Sequence, residues 1–181
     1  MDKQLETAVF GGGCFWCTEA IFSRLKGVES VESGYAGGET ANPTYEEVSE
    51  GNTGHAEAIR IEFDPSAIKF TDLLNVFFTT HDPTTLNRQG NDVGEQYRSA
   101  IFYTSEAQRD QAQVFIEQLG NEGVYDDPIV TEVAALSKFW PAESYHQRYY
   151  EQNQSKPYCS AVITPKIAKL RQKFTPLLKP E

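Results

Sequence analysis

Hydrophobic and polar positions alternate along this chain with two periods, close to two in some stretches and close to 3.6 in others, and together they mark out strands and helices. Thr7 to Phe10 reads as a short apolar strand. Cys14 to Leu25 reads as a helix, with Cys14, Cys17, Ile21 and Leu25 at helical spacing and Gly27 as its stop. Val28 to Tyr35 predicts a second strand, and Ala56 to Phe63 a third with clear alternation, ended by Asp64-Pro65. Phe70 to Thr80 predicts a helix burying Leu74, Phe77 and Phe78, and Tyr97 to Tyr103 a fourth strand.

The order strand-helix-strand-strand-helix-strand predicts an α+β fold with a ferredoxin-like split βαβ core, a mainly antiparallel sheet with helices packed on one face. Ser105 with Gln108 is a capping box for a further helix, whose apolar stripe is Ala112, Phe115, Ile116 and Leu119 before Gly120. Ile129 to Leu136 is a candidate extra strand, and the last third, from Tyr145 through Cys159 to Phe174, predicts helical pieces and coil wrapped around the sheet. With no repeat, low-complexity tract or linker, residues 1–181 are expected to form a single catalytic domain. Two polar, glycine-rich connections, residues 34–54 and 81–96, are too long for simple turns, and such loops tend to carry function.

Composition narrows the field. A hydrophobic content of 39% and a charged content of 23% are those of an ordinary globular protein, and the net charge of −10 argues against nucleic acid or an anionic membrane as partner. No stretch approaches the roughly 20 apolar residues that span a bilayer. Residues 1–6 lack the apolar core of a secretory signal, so the expected location is the cytoplasm. Three cysteines in such a chain do not make a disulfide scaffold. Zinc would draw on Cys14, Cys17, Cys159, His55, His81 and His146, but nothing resembles a second close ligand pair, and no metal is expected.

The chemistry is expected around Gly11-Gly12-Gly13-Cys14-Phe15-Trp16-Cys17, where an apolar strand breaks into glycines and a helix begins. Exposed backbone N–H groups and the positive end of the helix dipole favour a thiolate, so Cys14 is expected to be a nucleophile with a lowered pKa. Read with period two, Glu57 falls on the same face as Ile59, Ile61 and Phe63; there desolvation raises its pKa and makes it a candidate proton donor. Phe15 and Trp16 are placed either to wall an apolar pocket beside the thiol or to fill the core. Cys17, one turn on, is within disulfide reach of Cys14 and also continues the buried stripe. Cys159 lies in Lys156-Pro157-Tyr158-Cys159, where coil would let it approach.

These residues resemble the A-type peptide methionine sulfoxide reductases. The resemblance runs through Gly13-Cys14-Phe15-Trp16 with Glu19, Gly34-Tyr35-Ala36-Gly37-Gly38, Asn42-Pro43-Thr44-Tyr45, Thr53-Gly54-His55-Ala56-Glu57, His81-Asp82-Pro83-Thr84 and Gln89-Gly90-Asn91-Asp92-Val93-Gly94 to Gln96-Tyr97-Arg98-Ser99, over about residues 7 to 150. It implies thiol-dependent reduction of methionine-S-sulfoxide, protein-bound and free, as repair of oxidised proteins under oxidative stress. It also implies no bound cofactor, a Cys14 sulfenic acid, and an intramolecular disulfide recycled by thioredoxin. By the same resemblance, Cys14 attacks, Glu57 protonates, Tyr45 and Tyr97 bind the sulfoxide oxygen, Asp92 orients the site, and Phe15 with Trp16 receive the S-methyl group. Cys17 stands where many members carry glycine, which leaves Cys17 and Cys159 as alternative resolving thiols. Two rival readings are a dithiol-disulfide exchanger, which also opens a helix with C-x-x-C, and a binding module whose cysteines only pack.

Overall fold

The computed structural model describes residues 4–180. Its first half runs through β1 (Glu6–Gly12), α1 (Phe15–Phe22), β2 (Val28–Ala36), α2 (Tyr45–Ser49), β3 (Ala56–Phe63) and α3 (Phe70–Thr80). A small hairpin, β4 (Arg88–Gln89) and β5 (Asp92–Val93), precedes β6 (Ser99–Tyr103) and α4 (Glu106–Asn121). The chain then forms β7 (Glu132–Ala135), β8 (Phe139–Pro141), α5 (Tyr149–Gln152) and α6 (Thr164–Phe174).

Six strands form one sheet in the order β7-β6-β1-β3-β2-β8. β1 pairs antiparallel with β3 and β6, and β2 antiparallel with β3. Strands β1 and β2 are therefore parallel with β3 between them, and β3 and β6 parallel with β1 between them. The connections of these two split pairs carry α1 and α3. Both helices bury on the same sheet face, where Phe22, Leu73, Leu74 and Phe77 meet Phe10, Ile59, Ile61 and Phe63. Each fully buried side chain of this size contributes roughly 1.5–3 kcal/mol, and Phe10 stacks on Phe77 with centroids 4.8 Å apart.

The opposite face is lined by small side chains, Ala36, Ala56, Ala58 and Ala100, under Phe139. Close approach explains that choice: a Cβ on Gly34 would lie 2.3 Å from the Phe139 ring, so β8 docks on β2 only beside a glycine. The consequence for the site is that β3 is covered on both faces at its N-terminal end, where Glu57 is 1% exposed.

Several boundaries differ from the sequence expectation. Cys14 is the N-cap of α1 rather than its first helical residue, and the helix ends at Phe22, short of Leu25. Tyr97 closes a 3₁₀ turn, Glu95–Tyr97, so β6 starts at Ser99. Ser105 Oγ accepts the Gln108 N–H as expected, but Gln108 Oε1 accepts from Thr104 N–H rather than from Ser105, and α4 passes Gly120 to Asn121. β7 is shorter than residues 129–136 and joins β6 in parallel, with α4 as the crossover. Neither α2, capped by Thr44 Oγ1 on Glu47 N–H, nor β8 was expected. Among the described residues no helix is long and apolar enough to cross a membrane.

Candidate active site

Gly13 takes φ +92°, a conformation L side chains rarely adopt, and a Cβ there would lie 2.6 Å from Gln89. That turn swings the chain from β1 into α1 and leaves Cys14 at the helix start. The first helical amide, Phe15 N–H, donates to Glu57 Oε1 at 3.1 Å, beyond the end of β1 and beside the start of β3. Glu57 thus sits against the residue that follows the nucleophile candidate, on the side the alternation in β3 predicts. Burial raises its pKa to about 8; the Phe15 N–H opposes that shift, and the charges of Asp92 and Cys17 add to it. The group is a neutral carboxylic acid near pH 7.

Cys14 departs from the expected lowered pKa. It is 8% exposed, and burial first, then its bond to Cys17 and the charge of Glu57, raise its pKa well above the usual thiol value, with the Trp16 N–H pulling the other way. Magnitudes explain the outcome: a helix N-terminus is worth about 0.3–1 kcal/mol, less than one pKa unit at ~1.4 kcal/mol, whereas full burial moves a pKa by up to ~3–5 units. The neighbouring thiol takes the first ionisation instead. Cys17 is lowered to about 7 because Cys14 donates to it, outweighing burial, with Lys166 and Tyr158 helping.

The other expected residues converge on this pair. Tyr45, the first residue of α2, is raised to about 12 by burial, with the charges of Glu57 and Cys14 contributing; Tyr97 is raised by burial and the same two charges. Asp92 on β5 accepts from the Tyr158 hydroxyl at 2.8 Å, and that hydroxyl lies 3.7 Å from Cys17 Sγ. Cys159 is fully buried in one apolar cluster with Cys14 and Cys17, at the start of a π-helical turn, Cys159–Ile163. Phe15 is fully buried with its ring against Tyr35 and His146, while Trp16 is half-buried with its indole stacked on Tyr149 at 3.7 Å and 9°.

Five further residues, His146, Glu143, Tyr149, Tyr158 and Glu19, shape the site without having been given a role in its chemistry. Trp16 Nε1 donates to His146 Nδ1 at 3.0 Å, which puts the proton of the neutral imidazole on Nε2, a buried N–H without a partner among the described residues. Glu143, Tyr149 and Tyr158 come from the irregular C-terminal third, where no periodicity flags them. Glu19, noted only within the signature, accepts from Ser33 Oγ at 3.3 Å and from the N–H groups of Arg148 and Tyr149, so it holds the start of α5 against α1. Burial raises its pKa to about 7 against those bonds. It also lines a cleft of about 1070 Å³ with Arg24 and Lys179 that includes none of the expected residues.

His55 and His81 are committed elsewhere. His55 Nδ1 accepts from Gly38 N–H at 3.0 Å and Nε2 donates to Thr40 O at 2.7 Å, while His81 bridges Phe77 O and Ser99 Oγ. Among the described residues no group of three or more His, Cys, Asp or Glu side chains is placed to hold a metal ion.

Known proteins resemble this chain in sequence and fold. Residues 6–177 match the family described as peptide methionine sulfoxide reductase. A peptide methionine sulfoxide reductase MsrA from Chromobacterium violaceum is 57% identical over 175 residues, 97% of this chain and 99% of its own. The crystal structure of Mxr1 from Saccharomyces cerevisiae in reduced form aligns with TM-score 0.79 and 31% identity, covering 86% of this chain and 90% of that one. Methionine sulfoxide reductase A of Corynebacterium diphtheriae aligns with TM-score 0.74 and 35% identity, over 82% and 75% of the two chains. Full-length identity at this level, with an acid and a thiol pair meeting at one helix start, places the chain in the peptide methionine sulfoxide reductase family of MsrA type, oxidoreductases that reduce methionine sulfoxide.

Proposed function

We propose that this chain is one catalytic domain, with a ferredoxin-like split βαβ core, that reduces the S-epimer of methionine sulfoxide in oxidised proteins and as the free amino acid. The observation that carries the reading is the Phe15 N–H to Glu57 contact of 3.1 Å, which holds a neutral buried acid beside the residue that caps the same helix start. Cys14 sulfur attacks the sulfoxide sulfur, and its proton passes to the Cys17 thiolate to which it donates. Glu57 delivers a proton to the departing oxygen, and the Tyr45 and Tyr97 hydroxyls donate to that oxygen as charge builds on it. The protonated oxygen then moves to the Cys14 sulfur as the sulfur–sulfur bond made in the attack breaks, so methionine leaves and Cys14 becomes a sulfenic acid.

Phe15 and Trp16 receive the S-methyl group, Asp92 and the free His146 Nε2–H meet polar backbone atoms of the substrate, and α5 closes the aromatic wall through the Trp16–Tyr149 stack. Cys17 then condenses with the sulfenic acid, expelling water and forming a Cys14–Cys17 disulfide. Cys159, buried in the same cluster, exchanges into that disulfide and carries it to an external dithiol. Thioredoxin is that reductant; yeast Mxr1 is known in complex with Trx2.

A protein with Cys17→Ser and Cys159→Ser combined, retaining only Cys14, separates this chemistry from disulfide exchange. One methionine per molecule is expected without any reductant. A folded protein that releases none contradicts the mechanism.

A further inference from the structure

Glu143 joins three segments that share no regular element. Its Oε1 accepts from the Tyr35 hydroxyl at 2.9 Å, and its Oε2 accepts from the Tyr45 N–H at 3.0 Å and the Tyr145 hydroxyl at 3.4 Å. Tyr45 N–H is a helix-start amide with no acceptor inside α2. Nothing regular leads into α2, whose approach passes Asn42 at φ 47°, so the helix has no strand to place it. Tyr35, in contrast, is fixed: it is fully buried and pairs directly with Glu57 across β2 and β3. A chain of contacts therefore runs from Glu57 through the sheet to Tyr35, through its hydroxyl to Glu143, and on to the start of α2. Burial raises the Glu143 pKa, but N–H groups and the Tyr35 hydroxyl win, so it stays a carboxylate with both oxygens available as acceptors.

We propose that Glu143 is a positioning residue which sets the Tyr45 hydroxyl relative to Glu57, by tying the start of α2 to the residue paired with Glu57 in the sheet. The proposal rests on the reading of Tyr45 as an oxygen-binding group and names what holds it there. The two oxygens divide the work, Oε1 holding the Tyr35 hydroxyl and Oε2 the Tyr45 N–H. Glutamine offers one acceptor oxygen and no charge: with that oxygen on the Tyr45 N–H, the Tyr35 hydroxyl can only accept from the amide N–H, and both charge-assisted bonds give way to weaker neutral ones, so Glu143→Gln loosens the tie.

The test is a double-mutant cycle on first-turnover methionine release, with pre-reduced protein and no recycling reductant. Glu143→Gln is expected to slow release roughly 10-fold, the scale of a small misplacement of a catalytic group. In a Tyr45→Phe background, where no hydroxyl remains to misplace, the same change is expected to have less than a roughly 2-fold effect. A purely structural role would lower the melting temperature and leave the two effects additive. Additive effects therefore overturn the proposal while leaving the role of Tyr45 standing. If Tyr45→Phe alone does not slow release, the reading of Tyr45 falls and the proposal with it. Should Glu143→Gln fold poorly, Tyr35→Phe keeps both the ring and the carboxylate and removes only the donor that fixes Oε1. It is expected to slow release roughly 3-fold, again only when the Tyr45 hydroxyl is present; an equal effect in both backgrounds is the contrary result.

Discussion

The two sides of the sulfur pair are held in different ways. On one side, Glu57 and Cys14 sit on β3 and at the start of α1, elements fixed by ladder hydrogen bonds and by the aromatic core behind them. On the other side the cover, residues 144–163, is a 3₁₀ turn, a four-residue helix and a π-helical turn. It is fastened by side chains: the Trp16–Tyr149 stack, the Trp16–His146 bond, Glu19 under Arg148 and Tyr149, and the Tyr158–Asp92 bond. Such contacts contribute about 0.5–1.5 kcal/mol each, well below the cost of disturbing the sheet. The difference teaches that the proposed acid and nucleophile stand on the sheet-anchored half, while the thiols are covered by the half whose fastenings are individually weaker.

Substitutions separate these halves, starting with the acid. Glu57→Gln is expected to slow first-turnover methionine release by about 100- to 10,000-fold, the range for losing a general acid, with little change in substrate affinity measured by titration. Cys17→Ser is expected to release one methionine per molecule yet lose more than roughly 10-fold in thioredoxin-supported turnover, since resolution then depends on a thiol that must move. Cys159→Ser should cost less in the same assay, because Cys17 is already hydrogen-bonded to Cys14. The smallest effect is expected of Tyr149→Ala, which removes the stack on Trp16 and raises KM by roughly 5-fold for about 1 kcal/mol, with kcat kept. It should also speed alkylation of Cys159, and a drop in kcat with unchanged KM would mean that the cover takes part in the chemistry.

Legibility in the sequence divides along the same line. The alternation of Glu57, Ile59, Ile61 and Phe63 gave both the strand and the burial of the acid, because one covered face imposes a period that residues must obey. The glycine run gave the helix start, yet composition around a cysteine says nothing of how deeply the fold will enclose it, and so Cys14 came out with a raised pKa instead of a lowered one. Tyr158, Tyr149 and Glu143 escaped because each acts through contacts with residues distant in sequence: Asp92 and Cys17, Trp16, and Tyr35 with Tyr45. No local pattern encodes such pairs. β8 was hidden for a related reason, since Phe139–Pro141 is too short to show a period and depends on Gly34.

The central claim is that a protonated Glu57 and an ionised thiol pair act together, and the pH dependence of first-turnover release by pre-reduced protein tests it most directly. Ionisation at about 7 on Cys17 supplies the proton acceptor, so release should climb through that pH. The proton on Glu57 is lost through about 8, so release should fall again above it. Glu57→Gln, which has no proton to lose there, should be slow and should keep the first limb without the second. A glutamine variant as fast as the native protein, or one with the same decline above pH 8, would contradict the account.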